Sequence, residues 1–280
     1  MSKIIKPDLF QFHDHIYFLN EWFSYLKSTK REFNLRELSK KSQISVANLS
    51  MLLKRQRPLT EKTFFKLAPF LNLNDMEKKF LNLLRIVDQS EDAETRLMAL
   101  NQIVKIAKFR ENNSQEFKAY EYLTKWFYVS IFEMSALEDF KLDAEWIQNH
   151  LIKPISIAEI QQAIQFLLKQ NFLKQNADGS IKQIRSHLDC REGIFKVSLG
   201  AFHRQMLDLA GYAIENISRE DRIIMGQTMA IAKEDFEQIK EIINNAILNI
   251  NKINSKTERK DAVYHVEIAA FPLSLKSKEI

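Results

Sequence analysis

The first 178 residues of this 280-residue chain contain no glycine, and the whole chain has five, at positions 179, 193, 200, 211 and 226. Loops that cradle phosphates need glycine for positive φ and for close backbone approach. A G-x-G-x-x-G fingerprint and a Walker A loop are therefore excluded by inspection. Proline is equally scarce, at five. So few breakers, among many Leu, Ile, Lys, Glu and Gln, point to a helix-rich chain. Cys190 is the single cysteine, which excludes an internal disulfide and a cysteine-based zinc site. Its surroundings, HLDCREG, follow no nucleophile motif. No apolar run approaches the ~20 residues that span a bilayer. The amino end, MSKIIKPDLFQFHDH, meets charges before any apolar stretch, so no signal peptide and no membrane anchor are expected, and a cytoplasmic location is.

The charge present is unevenly placed. Net charge is +5. From Lys30 to Leu71 stand ten Lys and Arg (30, 31, 36, 40, 41, 54, 55, 57, 62, 66) against three acids (32, 37, 61). That block is +7, and the rest of the chain is −2. A localised positive block on an otherwise neutral chain points to a polyanion-binding module, with double-stranded DNA the leading partner. Charge alone fits a solvated basic face equally well.

Hydrophobic spacing supplies the elements. Tyr17, Phe18, Trp22, Tyr25 and Leu26 recur at helical intervals over 13–29, an aromatic core stripe. His13-Asp14-His15 resembles a metal tripeptide, but neighbours on a helix point apart and no third ligand stands nearby. The most specific stretch is LRELSKKSQISVANLSMLLK (35–54). A short helix over 35–42 carries Leu35 and Leu38 inward, with small Ser39 allowing another helix close. Ile44 plugs the turn. Ser45 caps a second helix, which buries Val46, Leu49, Leu52 and Leu53 and exposes Ala47, Asn48, Ser50, Met51, Lys54 and Arg55. Two short helices joined by a tight turn on a basic module make a helix-turn-helix. Leu38, Ser39, Ile44, Ser45 and Leu49 resemble the lambda-repressor type in their apolar, small and capping positions. Gln43 departs from it, since glycine is usual there. Either Gln43 adopts positive φ or the turn is wider.

Flanking helices should close this domain: one capped by Thr60 with Phe64, Phe65, Leu67 and Leu71, another from Asn74 or Asp75 with Met76, Phe80, Leu81 and Leu84. These readings predict a domain at 1–88, foldable as a fragment 1–90. A helical linker over 89–116 follows, ending in a loop at 110–116. Residues 117–190 read as three helices and a hairpin at Asn-Ala-Asp-Gly179, a winged-helix-like domain. Its presented helix shows Glu159, Gln161, Gln162, Gln165 and Lys169, an amide-rich and nearly uncharged face. Residues 191–280 predict a helix from Phe195 to Ile217, strands over 219–232 and 263–274, and a helix over 235–253 burying Phe236, Ile239, Ile243 and Ile247. The fold class expected is mainly α: a helix-turn-helix bundle, a winged-helix-like domain and a C-terminal α+β unit. Two such strands need a sheet or a partner chain to complete them.

Several C-terminal segments carry a further resemblance. WFY (126–128), NADG (176–179), FHRQMLDLA (202–210), REDR (219–222), VYHVEI (263–268) and FPLS (271–274) resemble an uncharacterised bacterial family of transcriptional regulators. Its members join a lambda-repressor-like amino terminus to a C-terminal domain of unknown function. Met225-Gly226 departs from the small hydroxyl residues expected there. The resemblance implies a regulator and supplies no ligand or operator.

The expected function is a bacterial DNA-binding transcriptional regulator. Lys40, Lys41, Lys54, Arg55 and Arg57 would attract phosphates. Ser45, Ala47, Asn48, Ser50 and Met51 would line the reading surface, with Asn48 suited to adenine and Ala47 to a thymine methyl. The remainder would form a homodimer and sense a small-molecule or protein effector. No cofactor or catalytic set is expected, because His150, His187, His203 and His265 are scattered and no nucleophile elbow or H-E-x-x-H occurs. The alternative is a helical protein-interaction adaptor that has lost sequence-specific DNA reading.

Overall fold

The computed structural model describes residues 5–30, 32–184 and 195–274. Cys190 and His187 lie outside the described residues. The chain is mainly helical and divides into two compact units, 1–124 with 187–201, and 125–186 with 202–280. Among the described residues no helix is long and apolar enough to cross a membrane.

The first unit is built on α1 (His15–Thr29), α2 (Leu35–Ser42), α3 (Val46–Leu53), α4 (Glu61–Leu67), α5 (Asp75–Gln89), α6 (Ala93–Ile103), α7 (Ala107–Asn112) and α8 (Ser114–Thr124). Side-chain caps fix where most of these helices start. The Asp14 carboxylate accepts from the Tyr17 N–H, Ser45 Oγ from the Asn48 N–H, and Thr60 Oγ1 from the Thr63 N–H. Asn74 and Glu77 cap α5 reciprocally, a capping box. Trp22 fixes the centre of the core: its ring stacks on Phe18 at 5.5 Å, and its indole N–H donates to the Leu71 carbonyl at 2.7 Å. The indole is thereby buried without an unsatisfied donor.

The stretch expected to be a linker, 89–116, is helical and packed. Ala99, Leu100, Ile103, Val104 and Phe109 join the same core as α1 to α5. The loop expected over 110–116 is instead the end of α7, a buried Asn113 and the start of α8. Asn113 explains why a polar residue is tolerated there. Its amide donates to the Phe10 and Phe109 carbonyls at 2.7 and 2.8 Å, and its oxygen lies 2.7 Å from His13 Nε2. A fragment ending at 90 would leave part of this core behind.

In the second unit, α9 (Trp126–Met134), α10 (Ala144–His150) and α11 (Ile157–Lys169) precede an antiparallel hairpin of β1 (Leu173–Gln175) and β2 (Ile181–Gln183). Register places Lys174 opposite Lys182, and Gly179 takes φ +84° in the connecting turn. Any side chain there would be strained. Ile131, Ile147, Ile160, Phe166, Leu167 and Phe172 form the interior. Asp143 and Ser156 cap α10 and α11.

Beyond the hairpin come α12 (Phe195–Asn216), whose residues to Ala201 belong to the first unit, and α13 (Asp235–Lys256). The strands expected over 219–232 and 263–274 do not form. Both segments are irregular in the secondary-structure sense and exposed, and no described residue after Met206 is buried. The α+β expectation for this region is therefore corrected to a helical one. A strand exists only when another strand satisfies its backbone groups, and among the described residues none pairs with either segment. Phe236, Ile239, Ile243 and Ile247, expected to be buried, are half-buried for the same lack of neighbours.

Candidate nucleic-acid interface

The turn between α2 and α3 is made by Gln43, with φ 54° and ψ 33°. Of the two expectations for this position, the left-handed backbone is the observed one. A non-glycine residue holds it at some cost in strain. Leu38, Ile44, Leu49 and Leu52 are buried beneath it, and Ser42 Oγ donates to the Leu38 carbonyl at 2.7 Å. Of the four α3 positions expected to be buried, two are not. Val46 is 39% exposed, because it sits in the first turn of α3 on the solvent side of the cap. Leu53 is half-buried at the opposite end.

The residues expected to read DNA lie at the cap of α3 and along it. Ser45 and Ala47 are exposed, whereas Asn48, Ser50 and Met51, expected to be exposed, are half-buried against neighbouring side chains. Lys40, Lys41, Lys54, Arg55 and Arg57 are all exposed, at the end of α2 and at and just after the end of α3. Lys40 pairs with Glu37 on its own helix at 3.0 Å. Two arginines have partners that the sequence did not reveal. Arg57 Nη1 donates to Asn48 Oδ1 at 3.0 Å. The guanidinium of Arg55, held at left-handed φ of 59°, pairs with the Asp14 carboxylate that caps α1. Burial would raise the Asp14 carboxyl, but hydrogen bonds from Arg55 and the Tyr17 N–H outweigh it and keep the group below its usual range. Asn20 reinforces this junction by donating to the Leu53 carbonyl at 3.1 Å.

Behind the arginines lies an open cavity of about 310 Å³, lined by Ile16, Arg55, Gln56, Arg57, Asp88 and Gln89 among others. His15 stands behind its wall with a fully buried side chain. Its Nε2 is 3.0 Å from the Gln89 amide nitrogen. With that amide donating, the neutral ring carries its proton on Nδ1, which finds no hydrogen-bond partner and lies 3.6 Å from Asp88 Oδ2. Burial, opposed by Asp88 and Asp14 and aided by Arg55 and Arg85, holds His15 below its ordinary pKa of 6.5. The unfolded chain therefore takes up a proton before the folded one does. Stability from this site is fully present above about pH 6.5 and is lost as pH falls from there toward the folded value. Urea midpoints of the intact chain should drop from pH 7.5 to pH 5.5, and His15→Gln should flatten that drop. An identical pH dependence in the variant would remove His15 as its origin.

A second cluster lies wholly in the other unit. His203, on α12, is 3.0 Å from a Glu267 carboxylate oxygen, and His265 Nε2 is 3.1 Å from the same carboxylate. The rings of Phe202 and His265 meet edge to face at 5.8 Å. Burial would raise Glu267, but hydrogen bonds from both histidines prevail and lower it. The segments 202–210 and 263–268, far apart in sequence, are thus locked together. Scattered histidines in the chain gave no hint of this pairing. Among the described residues, no group of three His, Cys, Asp or Glu is arranged to hold a metal ion.

Comparison with known proteins adds one match. The family described as Domain of unknown function (DUF4423) matches residues 104–273. No curated protein and no solved structure matches the chain. The matched span begins just after α6, runs through the His203–Glu267 cluster and leaves α1 to α6 outside it.

Proposed function

We propose that this chain, which belongs to the DUF4423 family, is a cytoplasmic transcriptional regulator that binds double-stranded DNA through its first unit and acts as a homodimer. In this reading α2, the Gln43 turn and α3 form a helix-turn-helix, with α3 entering the major groove. The observation that carries it is the left-handed turn at Gln43. It sets two short capped helices against each other, with Ala47 exposed, Asn48 half-buried beside Arg57, and five cations exposed. The α9–α11 helices and the β1–β2 hairpin make a winged-helix-like body in the second unit, and residues beyond it serve dimerisation or the sensing of a small-molecule or protein effector. A catalytic role is not part of the proposal.

The Arg57–Asn48 bond refines the reading step. Bidentate pairing with adenine needs both the oxygen and the nitrogen of the Asn48 amide. Its oxygen is held by Arg57 in the free chain. Arg57 must therefore turn away, toward a phosphate, when Asn48 meets a base. Competition binding of the intact chain to duplex fragments tests this. Asn48→Ala should weaken the best site by about 1–3 kcal/mol and random DNA little, whereas Lys54→Glu should weaken all sequences alike. Equal loss on every sequence for Asn48→Ala would remove it from base reading.

A second reading applies to the second unit alone. Its α11 turns Gln161, Gln162 and Gln165 to solvent, with only Glu159 and Lys169 as charges on that face. Such a face attracts no phosphate. It fits a protein-interaction role there, beside DNA binding by the first unit.

A further inference from the structure

We infer that residues 263–269 form an intermolecular β-ribbon, each copy pairing antiparallel with the same segment of a second copy across a twofold axis at Val266. This rests on the homodimer proposed above and names its contact.

The segment alternates like a strand but pairs with no other among the described residues. One side is occupied: His265 and Glu267 face α12 through Phe202 and His203. The alternate residues Tyr264, Val266 and Ile268 are 70%, 48% and 40% exposed. No backbone group of 261–274 takes part in a backbone–backbone hydrogen bond among the described residues. The segment is nonetheless held in place at its start. The Glu138 N–H donates to the Lys260 carbonyl at 3.3 Å, and Arg259 pairs with Glu138 at 3.3 Å. An anchored segment of alternating apolar side chains, with N–H and C=O groups left out of backbone pairing, is a template for strand addition. Proline at position 272 ends the pairing, since it has no N–H to give.

Self-complementarity identifies the occupant as a second copy. With Val266 facing Val266 of the other copy, Tyr264 lies opposite Ile268, an aromatic–β-branched pair of the kind that stabilises antiparallel ribbons. On the other face His265 lies opposite Glu267. Shifting the register by two residues in one direction sets Glu267 against Glu267, and in the other His265 against His265. A one-residue shift turns Val266 toward the polar face of its partner. The centred register alone pairs apolar with apolar and avoids like charges. A two-stranded ribbon is marginal by itself. The same unit exposes Ile223, Met225, Met229, Phe271 and Leu273, which a second copy would cover together with the ribbon.

Because a residue on a twofold axis meets itself, opposite charges give a decisive test on the intact chain. Light scattering at tens of micromolar should give about twice 33.0 kDa for the unaltered protein. Val266→Lys and Val266→Glu should each raise the dissociation constant at least tenfold, and an equimolar mixture of the two should recover dimers. In a Cys190→Ser background, Val266→Cys should cross-link to a dimer under mild oxidation, whereas Tyr264→Cys should not. Circular dichroism should be unchanged by these exposed substitutions. A dimer insensitive to both charge variants would overturn the ribbon and leave the homodimer standing. An unaltered chain that scatters as a monomer would overturn both, and DNA binding by the first unit would still be read separately.

Discussion

A chain ending at residue 90 should show no cooperative urea transition, and one ending at residue 124 should show one. The helix-turn-helix bundle suggested by periodicity stops near Ile86, but its core does not. Leu100, Ile103 and Phe109 are fully buried in the same cluster as Trp22 and Phe80. Each such side chain contributes about 1.5–3 kcal/mol on burial. Losing three approaches the about 5–15 kcal/mol by which whole domains are stable. The cut also uncovers rings. Phe80 packs between Phe10 and Phe109, with centroids 4.9 and 5.6 Å away. Without α7 one of its faces meets water. Truncation removes Asn113 as well, leaving the Phe10 carbonyl without its donor. Ellipticity at 222 nm against urea reads the result directly. Equal midpoints and slopes for the two fragments would show that α6 and α7 add nothing to the core.

DNA binding by the intact chain should fall roughly 250- to 1,000-fold between 50 and 200 mM salt. Contacts to about 4–6 phosphates give a slope of log K on log salt near −4 to −5, because each neutralised phosphate releases condensed counterion. Lys40, Lys41, Lys54 and Arg57 are exposed and near α3, so they can reach a backbone without crossing the core. Lys40 already pairs with Glu37 on its own helix, and Arg55 pairs with a carboxylate capping another helix. Its guanidinium already pairs with Asp14, and leaving that carboxylate for a phosphate exchanges one partner for another. Arg55 should therefore add less to the slope than Lys54. Lys54→Glu should flatten the slope by about one, and Arg55→Gln by less. Fluorescence anisotropy of a labelled duplex across a salt series measures both. A slope of −1 or shallower would reduce the basic block to a solvated face.

Local features of the chain were legible without coordinates because they depend on near neighbours. Ser45, Thr60, Asn74 and Ser156 each cap the helix that their side-chain chemistry and the following apolar spacing pointed to. The absence of glycine at position 43 posed a question about backbone sign, and the chain answers it with left-handed φ at Gln43. The exposure of the cations at the ends of α2 and α3 follows from spacing, since apolar positions three and four apart leave them outward.

What periodicity could not supply was every relation between distant residues. An amphipathic helix over 93–103 reads the same whether it links two domains or completes one, and only the seating of Leu100 and Phe109 in the first core distinguishes them. The Arg57–Asn48, Arg55–Asp14 and His203–Glu267 contacts join residues whose local sequence carries no sign of the partner. For 263–269, strand chemistry was written in the alternation of Tyr264, Val266 and Ile268. Yet β-structure is a property of a pair of segments, and among the described residues no second strand pairs with this one. Helices satisfy their hydrogen bonds internally, so local sequence determines them; strands and cores are closed by residues far away, so they wait on the assembled chain or on its neighbour.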